Sequence, residues 1–403
     1  MNKPAIAVCA LSLLAVSAGS HAVVPKADYQ LQGVLTSTVG SPPPLTNLGP
    51  GANAFSATTV DGVSRQVLGF PLHNGVQLTP TTGVVAPGTY TISILVALDA
   101  ITGNRRLADF KNGTADTGLY ENSGKLAFVT LTAGTAPVPI VAGSYHQYVL
   151  TRDDATAKLI GYVDGLAAFT VNDPSGLGMF DAAATMRLFR DNDTGGTTGE
   201  DSAGHVARVR LYNSALDGEG VAALDWLPTS PRHANTKDFA FIPKSPLPQL
   251  GGKVEWDFRG PANHTATDTT GMGLYDSGSH AKGTTFTQTF SAAGIYSFHC
   301  NIHPSMTGTV KVPMTVAPKT GNTTTSFTLR WAKVKAPAGF VYDVQAKRPS
   351  DSSFVDFLIG VTRATQGFTP DAGAGTYQFQ ARMRKTSGGS AAYSVPLVIK
   401  VKP

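Results

Sequence analysis

The sequence predicts an all-β protein made of three β-sandwich domains. Three observations lead there. First, the chain carries 43 Gly and 26 Pro among its 403 residues, together with many Thr and Val, a composition that favours short strands and turns over long helices. Second, runs such as "TYTISILVAL", "KVEWDF" and "GIYSFHC" have strand length and strand character. Third, only "LDGEGVAAL" reads as a helix, and a short one. With 42% hydrophobic and 15% charged residues the chain can bury proper cores, so disorder is excluded.

Length asks for more than one domain. Two polar stretches divide the chain, "WLPTSPRHANTKD" (226–238) and "VAPKTGNTTTS" (316–326). They leave one segment of about 200 residues and two of about 80, all sensible domain sizes. The boundaries expected are 27–230, 235–317 and 320–403. No internal repeat is visible. The net charge of +5 is spread out, with no Lys/Arg run of the kind that binds nucleic acid.

Residues 1–22 read as a secretory signal peptide: Lys3, an apolar run, then the small-x-small pattern Ser20-His21-Ala22. The apolar run is too short for a membrane span and no other one follows, so an exported protein, periplasmic or extracellular, is expected. Cys9 lies inside that run and would leave with the peptide. Cys300 would then be the single remaining cysteine, unable to form an internal disulfide in a compartment that permits them. Such a thiol is a liability unless it is buried or bound to a metal.

The first segment resembles the LamG-like, concanavalin-type jelly roll. The likeness rests on "GTYTISILVAL", on "YHQYVLTRDDATAKLIGYVDGLAAFTVND" and on "GHVARVRLYNSALDGEGVAAL". The Asp164-Gly165 pair in the second stretch suits a tight hairpin needing positive φ. The resemblance implies a fold and leaves function open, since this architecture serves binders, adhesins and hydrolases. The paired-acid strand E-x-D-x-x-E of its glucanase members is missing. In "RDNDTGGTTGED", Asp191, Asp193, Glu200 and Asp201 offer hard oxygen ligands suited to calcium. Their spacing fits no defined calcium loop, so a solvated acidic loop is the preferred reading. The last segment resembles a fibronectin type III domain through "SFTLRWAKV", "GFVYDVQAKR" and "GTYQFQARMRKTSGGSAAYS", with Trp331 as its buried tryptophan and Tyr377 at the place of a tyrosine corner. A spacer or protein-contact role follows.

The middle segment carries chemistry. In "GIYSFHCNIHPSMTGTVKV", Cys300, His303 and Met306 are spaced C-x-x-H-x-x-M. Strand alternation puts Tyr296, Phe298 and Cys300 on one face and Ile295, Ser297 and His299 on the other. By the same rule Met306, Gly308, Val310 and Val312 point inward on the next strand. Val254, Trp256 and Phe258 point inward on an earlier one, as do Phe286 and Phe290 near "TTFTQTF". Three ligand candidates thus share one short loop at one end of a sandwich, and His264 can reach that end from another loop. Two imidazoles, one thiolate and a weak thioether suit copper, whereas zinc favours more thiolates or a water position.

These residues resemble a type 1 blue-copper cupredoxin of the plastocyanin/azurin kind, with the short ligand loop of its amicyanin-like members. The resemblance implies a Greek-key sandwich holding one copper ion, with His264, Cys300 and His303 as principal ligands and Met306 as axial ligand. It also implies His303 as the port for electrons. Asn263 is a candidate for holding the ligand loop. His299 reads as surface or packing, His280 as an exposed loop residue, and His73, His146 and His205 as structural. The expected function is that of an exported one-electron carrier tethered by its flanking modules, exchanging electrons with a redox protein or small carrier. The competing expectation is an adhesion or carbohydrate-binding protein whose copper domain is a sensor, buffer or structural unit. Neither H-x-H, G-x-S-x-G nor H-E-x-x-H occurs, so no turnover of its own is expected.

Overall fold

The computed structural model describes residues 23–191 and 199–403. The expected signal peptide, Cys9 and Asp193 lie outside these residues. The all-β expectation is borne out: apart from the single helical turn Gly218–Ala222, every regular element described is a strand. Asp217 caps that turn, its carboxylate accepting the Gly220 amide at 2.8 Å.

The first domain stacks an eight-stranded sheet on a seven-stranded one. Tyr90–Leu98 lies near the middle of the larger sheet, paired on one side with His146–Asp153 and on the other with Gly204–Tyr212. The apolar faces of the two sheets close over one continuous core that includes Tyr90, Ile94, Phe110, Phe128 and Leu211. The Asp164-Gly165 turn adopts positive φ at both residues, 50° and 80°, between Lys158–Val163 and Leu166–Asn172. Asp164 does more than turn the chain. Its carboxylate accepts the Gln147 amide and bonds His146 Nδ1, each at 2.9 Å.

The second domain is a smaller sandwich. One sheet runs Ala240–Ile242, Arg232–Lys237, Lys253–Phe258, Thr285–Thr289; the other holds Thr267–Asp268, Gly294–His299 and Thr307–Val312. Arg232–Lys237 arises within a stretch that composition marks as a polar break, and it pairs in parallel with Lys253–Phe258. The alternation read from the sequence holds: Val254, Trp256, Phe258, Tyr296, Phe298, Cys300, Met306, Val310 and Val312 are all buried. Of the two phenylalanines near Thr285–Thr289, Phe290 is buried and Phe286 half-buried.

The C-terminal sandwich pairs a three-stranded sheet with a five-stranded one. The polar stretch before it is no free linker. Thr315–Ala317 pairs with Phe327–Arg330, and Gly321–Asn322 with Leu397–Lys402. Trp331 is fully buried. Tyr377 Oη donates to the Gly373 carbonyl at 2.9 Å and accepts the Ala372 amide at 2.8 Å, which ties down the loop before its strand. This sandwich shares one core with the second domain, running from Trp256 and Phe298 to Trp331 and Tyr342. Between them Ile295 and Ala392 exchange two backbone hydrogen bonds, both at 2.9 Å. Gly389 lies so near Gly271 that a Cβ there would stand 2.5 Å from the Gly271 carbonyl carbon.

Candidate metal centre

The site is built from two chain segments. Cys300 follows the last residue of Gly294–His299, and Met306 precedes the first of Thr307–Val312. The loop between them is closed by its own backbone: the Cys300 amide donates to the Met306 carbonyl at 3.0 Å and the Met306 amide to the His303 carbonyl at 2.9 Å. The second segment is the bend between Lys253–Phe258 and Thr267–Asp268. It carries His264, whose backbone exchanges hydrogen bonds of 3.0 and 2.8 Å with His280. The His280 ring in turn stacks on Phe258, 4.5 Å away and 8° from parallel. His280 is therefore half-buried and braces the ligand strand, where the sequence reading made it an exposed loop residue.

The donors converge. Cys300 Sγ is 3.8 Å from His264 Nδ1 and 3.6 Å from His303 Nδ1, and the two nitrogens are 3.2 Å apart. Donors bound to one ion at about 2.0–2.3 Å in a trigonal arrangement stand roughly 3.5–3.8 Å apart. The spacing fits a single ion. The chemistry of the set fits copper: two borderline imidazoles and one soft thiolate, with Cys300 the single free cysteine among the described residues. Met306 is 2% exposed at the same end of the sandwich.

Electrostatics agree with a ligand set. His264 is 1% exposed, and burial first, then the neighbouring His303, holds its imidazole below the ordinary value. A neutral imidazole keeps its lone pair for a metal. Cys300 Sγ accepts the Thr265 amide at 3.3 Å, and Thr265 Oγ1 accepts the Asn301 amide at 2.7 Å. Thr265 thus joins the two ligand segments and steadies the sulfur. Asn263 does not: its amide donates to Ser279 at 3.3 Å, away from the loop. One step along an extended chain reverses the side a residue faces, so the stabilising neighbour follows His264 instead of preceding it.

Phe239 is a site residue that sequence reasoning missed. It sits in the two-residue turn joining Arg232–Lys237 to Ala240–Ile242, with φ of 49° at Asp238 and 65° at Phe239. A bulky residue in this left-handed region costs about 1–2 kcal/mol. Its ring stands edge-on to His303, 4.6 Å between centroids, and 6.0 Å from His264. The ring is 58% exposed, so it forms an apolar rim over the half-buried His303, beside exposed Ile302 and Pro304.

The remaining histidines lie apart from the site. His299 bonds Asn301 at 2.7 Å, and His73, His146 and His205 pair with Asp201, Asp164 and Asp99. His233, which no motif singled out, has both ring nitrogens engaged: Nδ1 with Asp257 at 3.0 Å and Nε2 with Asp61 of the first domain at 3.2 Å.

The three described acids of the acidic loop, Asp191, Glu200 and Asp201, take separate partners. Asp191 bonds Arg106 at 2.7 Å, Asp201 bonds His73, and Glu200 accepts from Asn104 at 2.8 Å. Asp191 and Glu200 approach Asp116 instead, with ligand atoms within 4.8 Å of one another. The Arg106 guanidinium already supplies positive charge there, bonding Asp116 at 3.1 Å as well.

No curated protein matches the chain. Among solved structures, domain 4 of an extracellular arabinanase from Geobacillus stearothermophilus, in complex with arabinotriose, is 17% identical; the match covers 50% of this chain and 98% of that one at a TM-score of 0.37. A reduced Cu(I) form of an amicyanin variant is 24% identical over 20% of this chain and 80% of that one, TM-score 0.20. A purple cupredoxin from Nitrosopumilus maritimus is 20% identical over 20% of this chain and 98% of that one, TM-score 0.19. Residues 72–222, within the first domain, match the family described as the concanavalin A-like lectin/glucanases superfamily.

Proposed function

We propose that this protein is an exported type 1 copper protein that carries single electrons and whose flanking sandwiches, the last of them fibronectin type III-like, hold it to a surface or partner. One observation carries the reading: His264 Nδ1, Cys300 Sγ and His303 Nδ1 meet within 3.8 Å at the end of a sandwich. His264, Cys300 and His303 would hold the ion, with Met306 as the weak fourth ligand. Bound copper would supply a one-electron couple. The protein's part is to keep the ligands still. The closed Cys300–Met306 loop, the Thr265 amide on the sulfur and the paired His264 and His280 backbones all fix donor positions before any ion arrives. Phe239 shields one edge of His303 from water and leaves an apolar rim where a redox partner could approach. No turnover beyond electron exchange is proposed.

The test is the visible spectrum of protein loaded with Cu(II). An intense thiolate-to-copper band, lost in Cys300→Ser, supports the reading; a colourless Cu(II) protein overturns it. The family match of residues 72–222 favours a second reading, in which the jelly roll binds a glycan and the copper domain is a sensor, buffer or structural unit. Glycan-array binding, together with copper that no small redox carrier can cycle, would select it.

A further inference from the structure

A cleft of about 910 Å³ lies between the jelly roll and the metal domain. Its walls are largely aliphatic, including Leu216, Leu224, Pro243 and Leu247, and that volume lies at the upper end of what small ligands occupy. Four cations and four acids line it: Arg208, Arg210, Arg232 and Lys311 against Asp28, Asp217, Glu219 and Asp225. They are not evenly mixed.

Three guanidiniums converge on one carboxylate. Arg208, Arg210 and Arg232 approach Asp225 at 3.1, 2.8 and 3.1 Å. Arg208 is also gripped by Asp28 through two bonds of 2.7 Å. At this end three positive charges face two negative ones. The other two acids are engaged with backbone amides, Asp217 with Gly220 at 2.8 Å and Glu219 with Lys244 at 3.1 Å. Of the guanidiniums at this end, Arg232 keeps a donor open to the cleft. Arg210 is 3% exposed, yet its Nε has no hydrogen-bond partner. Arg232 uses Nε on the Leu247 carbonyl at 3.1 Å and one terminal nitrogen on Asp225; its other terminal nitrogen makes no hydrogen bond among the described residues. Burial, and then the neighbouring guanidiniums, depress Arg232 to about 10. Three cations against two carboxylates leave positive charge in excess at this end, and an oxyanion is the ligand that balances it.

We propose that this cleft binds a small organic anion, a carboxylate carried on an aliphatic body, with the carboxylate at Arg232, next to Arg210, and the body along the aliphatic wall. The site needs both domains, because Arg210 belongs to the jelly roll strand Gly204–Tyr212 and Arg232 to the metal-domain strand Arg232–Lys237. It does not depend on copper.

Calorimetric titration of the full-length protein tests it with three probes: octanoate, octanamide, which keeps the body and lacks the charge, and acetate, which keeps the charge and lacks the body. Saturable one-site binding of octanoate is expected, at least tenfold tighter than either control. Arg232→Gln should weaken it ten- to a hundredfold, in line with loss of a charged hydrogen bond. Because Arg232 also meets Asp225, a second variant avoids that network: Ala223→Glu adds a negative charge at an exposed position on the lining and should weaken octanoate while leaving the thermal midpoint unchanged. No saturation up to about 10 mM octanoate, a binding free energy weaker than about −3 kcal/mol, overturns the proposal. Equal binding of octanamide, or binding unaltered in both variants, overturns it too.

Discussion

His233 joins the first and second domains, and replacing it tests whether they are locked together by charge. Its ring stacks beside Trp226 at 4.7 Å and its nitrogens reach Asp257 and Asp61 at 3.0 and 3.2 Å. Glu255 stands 3.8 Å away, and Arg259 approaches Asp257 at 3.6 Å from the far side. Burial pulls the imidazole down, but the hydrogen bonds to Asp257 and Asp61 and their charges push it up to about 10, from an ordinary 6.5. A rise of this size corresponds to at most about 5 kcal/mol, at 1.36 kcal/mol per pH unit. The sign follows from linkage. The folded value lies above the unfolded one, so the stabilisation is complete below about pH 6.5 and is lost as pH rises to about 10. Urea unfolding of wild type and His233→Gln, followed by tryptophan fluorescence, gives the stability difference at each pH. Comparing the two proteins cancels titrating groups that do not interact with His233. The difference should be several kcal/mol near pH 6 and shrink steadily towards pH 10. A difference that stays flat over this window, or grows, would refute the imidazolium lock.

Three further outcomes are expected. Phe239→Gly relieves a left-handed phenylalanine and uncovers the site, so stability should change by no more than about 1–2 kcal/mol. Meanwhile the Cys300 thiol of the metal-free protein, fully buried in wild type, should react with a thiol reagent at least tenfold faster; an unchanged rate would show that Phe239 does not shield the site. Gly389→Ala places a methyl 2.5 Å from Gly271 backbone at a φ of 85°. It should cost about 1–3 kcal/mol, read from the urea midpoint, as overpacking does. Copper at a hundred times its dissociation constant should stabilise the protein by about 2.7 kcal/mol, seen as a raised thermal midpoint. Cys300→Ser and His264→Ala should abolish that gain.

What was legible in the sequence was what depends on near neighbours. Side chains alternate in a strand, so "GIYSFHC" was enough to put Cys300 with Tyr296 and Phe298, and all three are buried. Cys300, His303 and Met306 fall within one short loop, so their common location needed no knowledge of the fold. Residues whose partners come from a distance were not legible. His233 has no motif around it, and its partner Asp61 lies 172 residues earlier in the chain. Phe239 breaks the preference of a two-residue hairpin turn for Asn or Gly, so nothing local pointed to a turn there. Thr265 outranks Asn263 as the stabilising neighbour only because of how the bend after Phe258 is directed.

The polar stretches 226–238 and 316–326 lie where one sheet gives way to another, yet they are strands as well as connections, because polar residues can pair in a sheet as readily as form linkers. The physical reason for strands in these stretches lies in size. A sandwich of about 80 residues buries too little of its surface to be robust alone. This one extends its core into its neighbour, so Trp256 and Trp331 belong to a single apolar cluster. On its other side it takes Arg232–Lys237 into its own sheet and pins that strand to the jelly roll through His233 and through Asn235, whose amide donates to the Asp164 carbonyl at 2.9 Å. The Cys300–Met306 ligand loop holds donors still only if the strands at its two ends cannot shift. The shared core on one side and the charged contact on the other restrain the two sheets that carry His264 and Cys300. The flanking domains are therefore part of what keeps the candidate metal centre rigid.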